Sequence, residues 1–278
     1  MSTGAPVGSP VVVLQPATSC PACGVDCRRP TGFIAFCDRC GHRWLPTSEE
    51  EQEALESGTY THDYAGYRPD PKFIDTATRV TGSEFATRVP PPGRVLDVGC
   101  GAGDFMGVAK QFGYAVEGID ISEASAEICR SRGHDARSGN FLTEEFSGAF
   151  DLITMWDVVE HLRDPASFLE RARSLLSKRG VVFAKIPGFG DLSVAMSNFW
   201  PRTAGTLLGA PSHVQYFDKE SLSALLSRAG FSTEWLDGGA ARSRLTDGPL
   251  RKRLARKAKQ LIGNLSGDAN FYVVARPR

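Results

Sequence analysis

The chain has 278 residues, enough for one large α/β domain with a small appendage. Hydrophobic residues make up 41%, which supplies a full core and argues against wholesale disorder. Lys+Arg and Asp+Glu are both 32, so the whole chain is no generic binder of polyanions, although a local basic patch stays open. No apolar stretch approaches membrane-spanning length. VVVL at 11–14 is also too short for a secretory leader and follows no positive cluster. A soluble, cytoplasmic protein with no membrane partner is expected. Five of the seven cysteines crowd into 20–40 and the other two stand alone, which argues against a disulfide framework.

In chain order, residues 1–17 are rich in Pro, Gly, Ser and Ala and read as a flexible tail. Residues 18–46 hold the cysteine pairs. Residues 47–89 form a helical and aromatic stretch: SEEEQEALES with a Ser N-cap, GTYTHDYAGYRPDP, then KFIDTATRVTGSEFATRV at helical spacing, broken by PPPG. From residue 90 onward strands and helices alternate. RVLDVG, YAVEGID, FDLITMW and VVFAKIP read as strands, with a weak one near 135–138. DFMGVAKQFG, SEASAEICRSRG and PASFLERARSLLSKRG, the last running to its glycine, read as helices between them. This alternation predicts a parallel sheet covered on both faces. An irregular insertion at 188–212 follows, then the helix DKESLSALLSRAGF, the strand STEWLDGG, the basic helix PLRKRLARKAKQLIGNL and the strand FYVVARP.

The strand VLDV runs into a turn with Gly99, Gly101 and Gly103, which places backbone N–H groups at the carboxyl edge of the sheet, where open α/β sheets bind ligands. A dinucleotide fingerprint would carry another glycine where Asp104 stands, and a carboxylate there repels a pyrophosphate. Asp97, two residues before the turn, suits a ligand bearing an ammonium or sulfonium charge. Asp120 ends the second strand 21 residues beyond Gly99, the usual place for a carboxylate that accepts from ribose hydroxyls. Its alternative role is to cap the next helix, which Ser122 does equally well.

These motifs, with DLITMWDVVEHLRDP at the fourth strand, resemble class I S-adenosylmethionine-dependent methyltransferases over roughly 70–278. The resemblance implies a Rossmann-like, seven-stranded, mostly parallel sheet with an antiparallel last strand. It implies that Gly99, Gly101 and Gly103 wrap the methionine moiety. Asp120, with Ile121 beside it, would hold the ribose. Asn140 and Phe141 would meet the adenine, and Met155 and Trp156 would border the cofactor. His161 in VVEHLRDP is similar to the Glu-His pair of ubiquinone-type O-methyltransferases. It serves either as a base or as a structural histidine fixing the turn. His213 in PSHVQYF is similar to a segment of methyltransferases acting on sugars or secondary metabolites, as a base or as packing for the insertion. His134, after Gly133, is expected in solvent.

Three tyrosines, Tyr60, Tyr64 and Tyr67, are candidates for a lid that folds over the cofactor and completes the acceptor pocket, or for a packed linker. Phe189, Trp200 and Arg202 are candidates for the opposite pocket wall. CPACG and CDRCG repeat one knuckle with 13 residues between Cys23 and Cys37, so Cys20, Cys23, Cys37 and Cys40 are expected to hold a structural Zn2+ in a closed ribbon, with Cys27 spare. The reading is methyl transfer to oxygen of a small hydroxylated acceptor, a sugar or secondary metabolite, with a histidine base. A ribosomal RNA methyltransferase using the ribbon and the basic helix is the alternative. Outside enzymes, it is a cofactor-binding protein whose ribbon recruits a partner.

Overall fold

The computed structural model describes residues 19–27, 34–48, 50, 67–189, 209, 212–236 and 270–278. The sequence-read tail, Tyr60, Tyr64, Trp200, Arg202 and the basic helix lie outside these. Among the described residues no helix is long and apolar enough to cross a membrane.

Among the described residues the main sheet has seven strands. They are β3 (Arg94–Val98), β4 (Ala115–Asp120), β5 (Asp135–Ser138), β6 (Phe150–Trp156), β7 (Leu176–Pro187), β9 (Phe231–Trp235) and β10 (Asn270–Pro277), in the order β5-β4-β3-β6-β7-β10-β9. Strands β3 to β7 pair in parallel, and β10 runs antiparallel to both β7 and β9. The order reverses at β3, so the carboxyl ends of β3, β4 and β6 frame the crevice where such sheets bind ligands. A smaller sheet joins β1 (Ala35–Phe36), β2 (Arg43–Trp44) and β8 (Gln215–Tyr216).

Helix α1 (Pro71–Val80) is capped by Asp70, whose side chain accepts from the Lys72 N–H, and continues through a π-helical turn at Thr81–Phe85. Helices α2 (Asp104–Gln111), α3 (Glu123–Ser131), α4 (Pro165–Leu175) and α5 (Lys219–Arg228) complete the layers. Ser122 caps α3, and Asp218 caps α5 in a reciprocal box with Ser221.

Strand periodicity sorts the core into two faces. Val95, Leu152, Phe183, Phe85 and Phe105 pack on one face, with α1 and α2. Leu96, Val98, Ile153, Met155 and Val182 pack on the other, with α4 and α5. The second face takes in Cys20, Cys37 and Trp44 as well, so the cysteine lobe shares one continuous core with the sheet rather than hanging beside it.

One boundary differs from the sequence reading. The helix expected to run to Gly180 ends at Leu175, and β7 starts at Leu176. Leu176 is extended, pairs with Phe150 across a β-bulge, and is followed by Ser177, whose hydroxyl donates to Asp151 Oδ1 at 2.8 Å. Pairing across the sheet outweighs the helical spacing of LLSK.

Candidate active site

Two cavities meet at the glycine turn. The first, about 340 Å³, is lined by Val98, Gly99, Gly101, Asp120, Ile121, Asn140, Phe141, Leu142, Asp157, His161 and Phe168, among others. The second, about 290 Å³, is lined by Tyr67, Asp70, Phe73, Asp97, Asp104, Phe105 and Trp156, and again by Gly99 and Gly101. Because the two share these glycines, one elongated ligand can lie across the turn with an end in each.

The three glycines do different jobs. All have positive φ, at 70°, 51° and 81°. A Cβ on Gly101 would meet nothing within 4 Å, so this backbone faces open space. A Cβ on Gly99 would come within 2.6 Å of Val158. At Gly103 it would collide with Cys129 Sγ at 2.6 Å and with the His134 ring at 2.7 Å. Gly103 lines neither cavity; its bareness lets α2 sit close to α3. His134 therefore packs beside Gly103 instead of standing in solvent, because the turn after Gly133 folds it back.

Asp120 holds the turn. Its Oδ2 accepts from the Gly101 N–H at 2.8 Å and its Oδ1 from the Ser122 N–H at 2.9 Å. It thus lines the cavity and shapes the chain at once, while Ser122 caps α3. Burial raises its carboxyl above the ordinary range. The neighbouring Ile121 is 49% exposed and Leu142 37%, two large apolar side chains left bare on the rim of the first cavity. Asn140 Oδ1 accepts from the Leu142 N–H at 2.9 Å, and the buried Phe141 leans on Phe146 and Phe168.

In the second cavity Asp97 is buried, and accepts from Thr154 Oγ1 at 2.7 Å, its partner residue across β3 and β6. Burial pushes this carboxyl up to about 7, with the nearby Asp120 adding to the rise and Thr154 opposing it. Tyr67 donates from its hydroxyl to Asp104 Oδ2 at 2.6 Å, and Arg132 donates to Asp104 Oδ1 at 2.7 Å. Of the expected acceptor-side tyrosines, Tyr67 thus lies across the glycine turn from His161. Trp156 faces the same cavity, whereas Met155 points to the opposite face of the sheet, is fully buried and lines neither cavity.

At the far edge of the first cavity, His161 and His213 meet with ring centroids 4.8 Å apart, edge to face. His161 Nδ1 lies 2.8 Å from the Ser212 carbonyl, which only accepts, so Nδ1 carries the proton and Nε2 the lone pair of the neutral ring. Of the two, His161 lines the cavity. His213 stands behind it, against Phe189 at 5.9 Å. Gly209 makes room for the His213 ring, since a Cβ there would reach its Nδ1 at 2.6 Å. Burial, and after it the nearby Asp157, pushes the Glu160 carboxyl well above the ordinary carboxylate range. One donor atom from each of Glu160, His161 and His213 lies within 4.8 Å of the others, close enough to share one cation. Asp157, at φ 53° in the left-handed region, pairs with Lys185 at the end of β7. No spacing rule marks Asp157, Leu142 or Phe168 as cavity residues, because each reaches it through a turn whose shape the sequence does not announce.

The four cysteine sulfurs of Cys20, Cys23, Cys37 and Cys40 lie within 4.8 Å of one another. Cys20 and Cys40 are 3.7 Å apart, and Cys23 and Cys37 are 3.6 Å apart. Tetrahedral Zn–S bonds of about 2.3 Å require about 3.8 Å between sulfurs, so the donor set fits that ion. Each knuckle closes with a glycine N–H donating to the first cysteine carbonyl at 2.9 Å, Gly24 to Cys20 and Gly41 to Cys37, with φ at 76° and 74°. Cys27 stays outside the cluster and its thiol donates to the Val25 carbonyl at 3.3 Å.

A family model described as a methyltransferase domain matches residues 71–234. The ubiquinone biosynthesis O-methyltransferase of Thiobacillus denitrificans is 30% identical over 179 residues, 60% of this chain and 74% of that protein. The enzyme of the same name from Pseudomonas aeruginosa is 35% identical over 100 residues, and there the match spans 32% of this chain and 42% of the relative. Among solved structures, a SAM-dependent methyltransferase from Archaeoglobus fulgidus superimposes with a TM-score of 0.51 at 19% identity, covering 76% of this chain and 96% of that one, which is a likeness of fold. Strand order, glycine turn and family match agree: the chain belongs to the methyltransferase-domain family and is a class I S-adenosylmethionine-dependent methyltransferase.

Proposed function

We propose that this chain methylates an oxygen of a small hydroxylated acceptor, a sugar or secondary metabolite, with the His161 and His213 pair taking the acceptor proton. The relatives named as O-methyltransferases support the acceptor atom. The observation that carries the reading is His161, at the cavity edge with Nδ1 toward the Ser212 carbonyl and Nε2 as the basic nitrogen.

The adenosine half of the cofactor fits the first cavity. Its base would lie against Ile121, Phe141 and Leu142, and Asn140 would meet the adenine edge. The ribose hydroxyls would donate to Asp120, whose oxygens each retain a lone pair beside the backbone bonds already made. The methionine tail fits the second cavity, with its ammonium toward Asp97 and Trp156 on its flank. Bound there, the cofactor supplies an electrophilic methyl group on a sulfonium. Gly101 leaves the open space across which the two halves join. His161 holds the acceptor oxygen in line and removes its proton, His213 backs the ring, and Phe189 closes the apolar side.

The cysteine lobe is proposed to hold one structural Zn2+ through Cys20, Cys23, Cys37 and Cys40. Residues 18–46 then form the metal-stabilised lobe and residues 90–278 the transferase body. Labelled-cofactor assays against hydroxylated metabolites and against RNA test the reading. Label is expected on a small-molecule oxygen. Label on RNA alone, with binding that weakens steeply in salt, would overturn it.

A further inference from the structure

We propose that the cysteine lobe is a working part of the acceptor site, with Gln215 as the positioning residue that ties the lobe to His161 and His213; this rests on the placement of the acceptor beside those histidines. Gln215 is buried at the start of β8, the strand of the transferase body that pairs with β2 of the lobe. Its Nε2 donates to the Leu162 carbonyl at 2.8 Å, one residue beyond His161. That fixes the amide orientation, so its Oε1 accepts, and the group it faces at 2.7 Å is His42 Nε2, which therefore carries the proton. His42 is itself fully buried between Trp44 and Phe217, and its carbonyl accepts from the Cys37 N–H at 2.8 Å. The path from a cysteine knuckle to the His161 turn is thus three hydrogen bonds long.

Further bonds bracket both histidines. Leu45 N–H donates to the Val214 carbonyl and Val214 N–H to the Glu160 carbonyl, each at 2.9 Å. The Tyr216 hydroxyl donates to the His213 carbonyl at 2.7 Å. Lobe residues Ile34 and Leu45 form one apolar cluster with Phe189, Val214 and Tyr216.

Backbone pairing alone would hold β2 against β8, and an apolar pair would fill the space of His42 and Gln215 without desolvating polar groups. A buried, fully directed polar pair adds register. Slipping β8 by one residue would exchange the faces of Gln215 and Tyr216, both buried, and break the amide's bonds to His42 and Leu162. The lobe thereby sets where the two imidazoles stand, while among the described residues Asp120, Gly101 and Asp97 make no hydrogen bond to it.

The test follows the histidine ring signals of the whole, metal-loaded chain by NMR, with S-adenosylhomocysteine affinity measured alongside. Gln215→Leu is expected to move the His161 and His213 signals while that affinity stays within twofold. Gln215→Met, which keeps the length of the side chain but gives neither a donor to Leu162 nor a strong acceptor to His42, is expected to move the same two signals. Stripping the lobe's metal from the unaltered chain with a chelator should do likewise. Unmoved signals after verified metal loss would overturn the proposal. So would loss of cofactor binding together with the signals, which would make the lobe a staple for the whole fold. Full turnover of His161→Ala and His213→Ala would instead sink the acceptor reading and leave the measured coupling standing.

Discussion

The two halves of the crevice are built in opposite ways. The cofactor half is mostly local: Gly101, Asp120 and Asn140 each sit at the end of a strand or in the turn after it, and Asp120 bonds to a residue only 19 positions away, although Asp97 takes its bond from Thr154, 57 positions on, in the neighbouring strand. The acceptor half is assembled from afar. His42 and Gln215 are 173 positions apart, and His161 and Ser212 are 51 apart. A local site survives damage elsewhere in the chain; an assembled site depends on every element that meets there. Variants on the two halves should therefore separate cofactor affinity from turnover.

The largest separation is expected at His161. His161→Ala should lower turnover by roughly 100-fold or more, as loss of a general base does. Cofactor affinity, measured by calorimetry, should stay within about twofold by the same reasoning. Asp120→Ala works from the other side. It removes the ribose contact and frees the Gly101 N–H, so cofactor affinity should fall by about 10- to 100-fold. An equal loss of affinity in both variants would erase the distinction between the halves.

Asp97 gives a smaller, pH-dependent effect. Burial pushes its carboxyl up to about 7, so the ligand-free chain holds it protonated below that pH. An ammonium partner favours the ionised form. Binding should then release a proton below pH 7, and affinity should fall by up to about tenfold per unit as the pH drops further. Affinity should level off just above pH 7, and Asp97→Asn should remove the fall below it. The stability of the ligand-free chain runs the other way: with its folded value raised, Asp97 favours the fold at low pH and loses that contribution as the pH rises through about 7.

The glycines give the finest contrast. Gly103→Ala forces a Cβ into Cys129 at positive φ and should cost about 2 kcal/mol of stability, read by denaturant unfolding. Gly101→Ala meets no clash and should cost less, about 1 kcal/mol, yet it fills the space where the cofactor lies and should weaken binding. Equal binding losses in the two variants would mean that Gly103 also faces the ligand.

This contrast also explains what the sequence could disclose. Strand and helix periodicity reads out the sheet, and the class I resemblance supplies its antiparallel last strand, since each element carries its own apolar face. The cysteine spacing names the cluster Cys20, Cys23, Cys37 and Cys40 because both knuckles are short-range turns. Asp97 and Asp120 are legible for the same reason. The end of α4 is not: pairing of Leu176 with Phe150 decides it, and that is a contact between strands. Strand alternation puts the adjacent Met155 and Trp156 on opposite sides of β6, but nothing local says that Trp156 is the one on the cavity. The joining of lobe and acceptor site through His42 and Gln215 leaves no local trace, because neither residue belongs to a motif that points to the other.

The division of the crevice into a cofactor half and an acceptor half is decided by a crystal structure of the chain with S-adenosylhomocysteine. The ribose is expected on Asp120, the adenine between Ile121, Phe141 and Leu142, the amino-acid tail in the cavity of Asp97 and Trp156, and the sulfur over Gly101 on the side open to His161. A ligand with its tail in the first cavity, or with its sulfur turned away from His161, would contradict it.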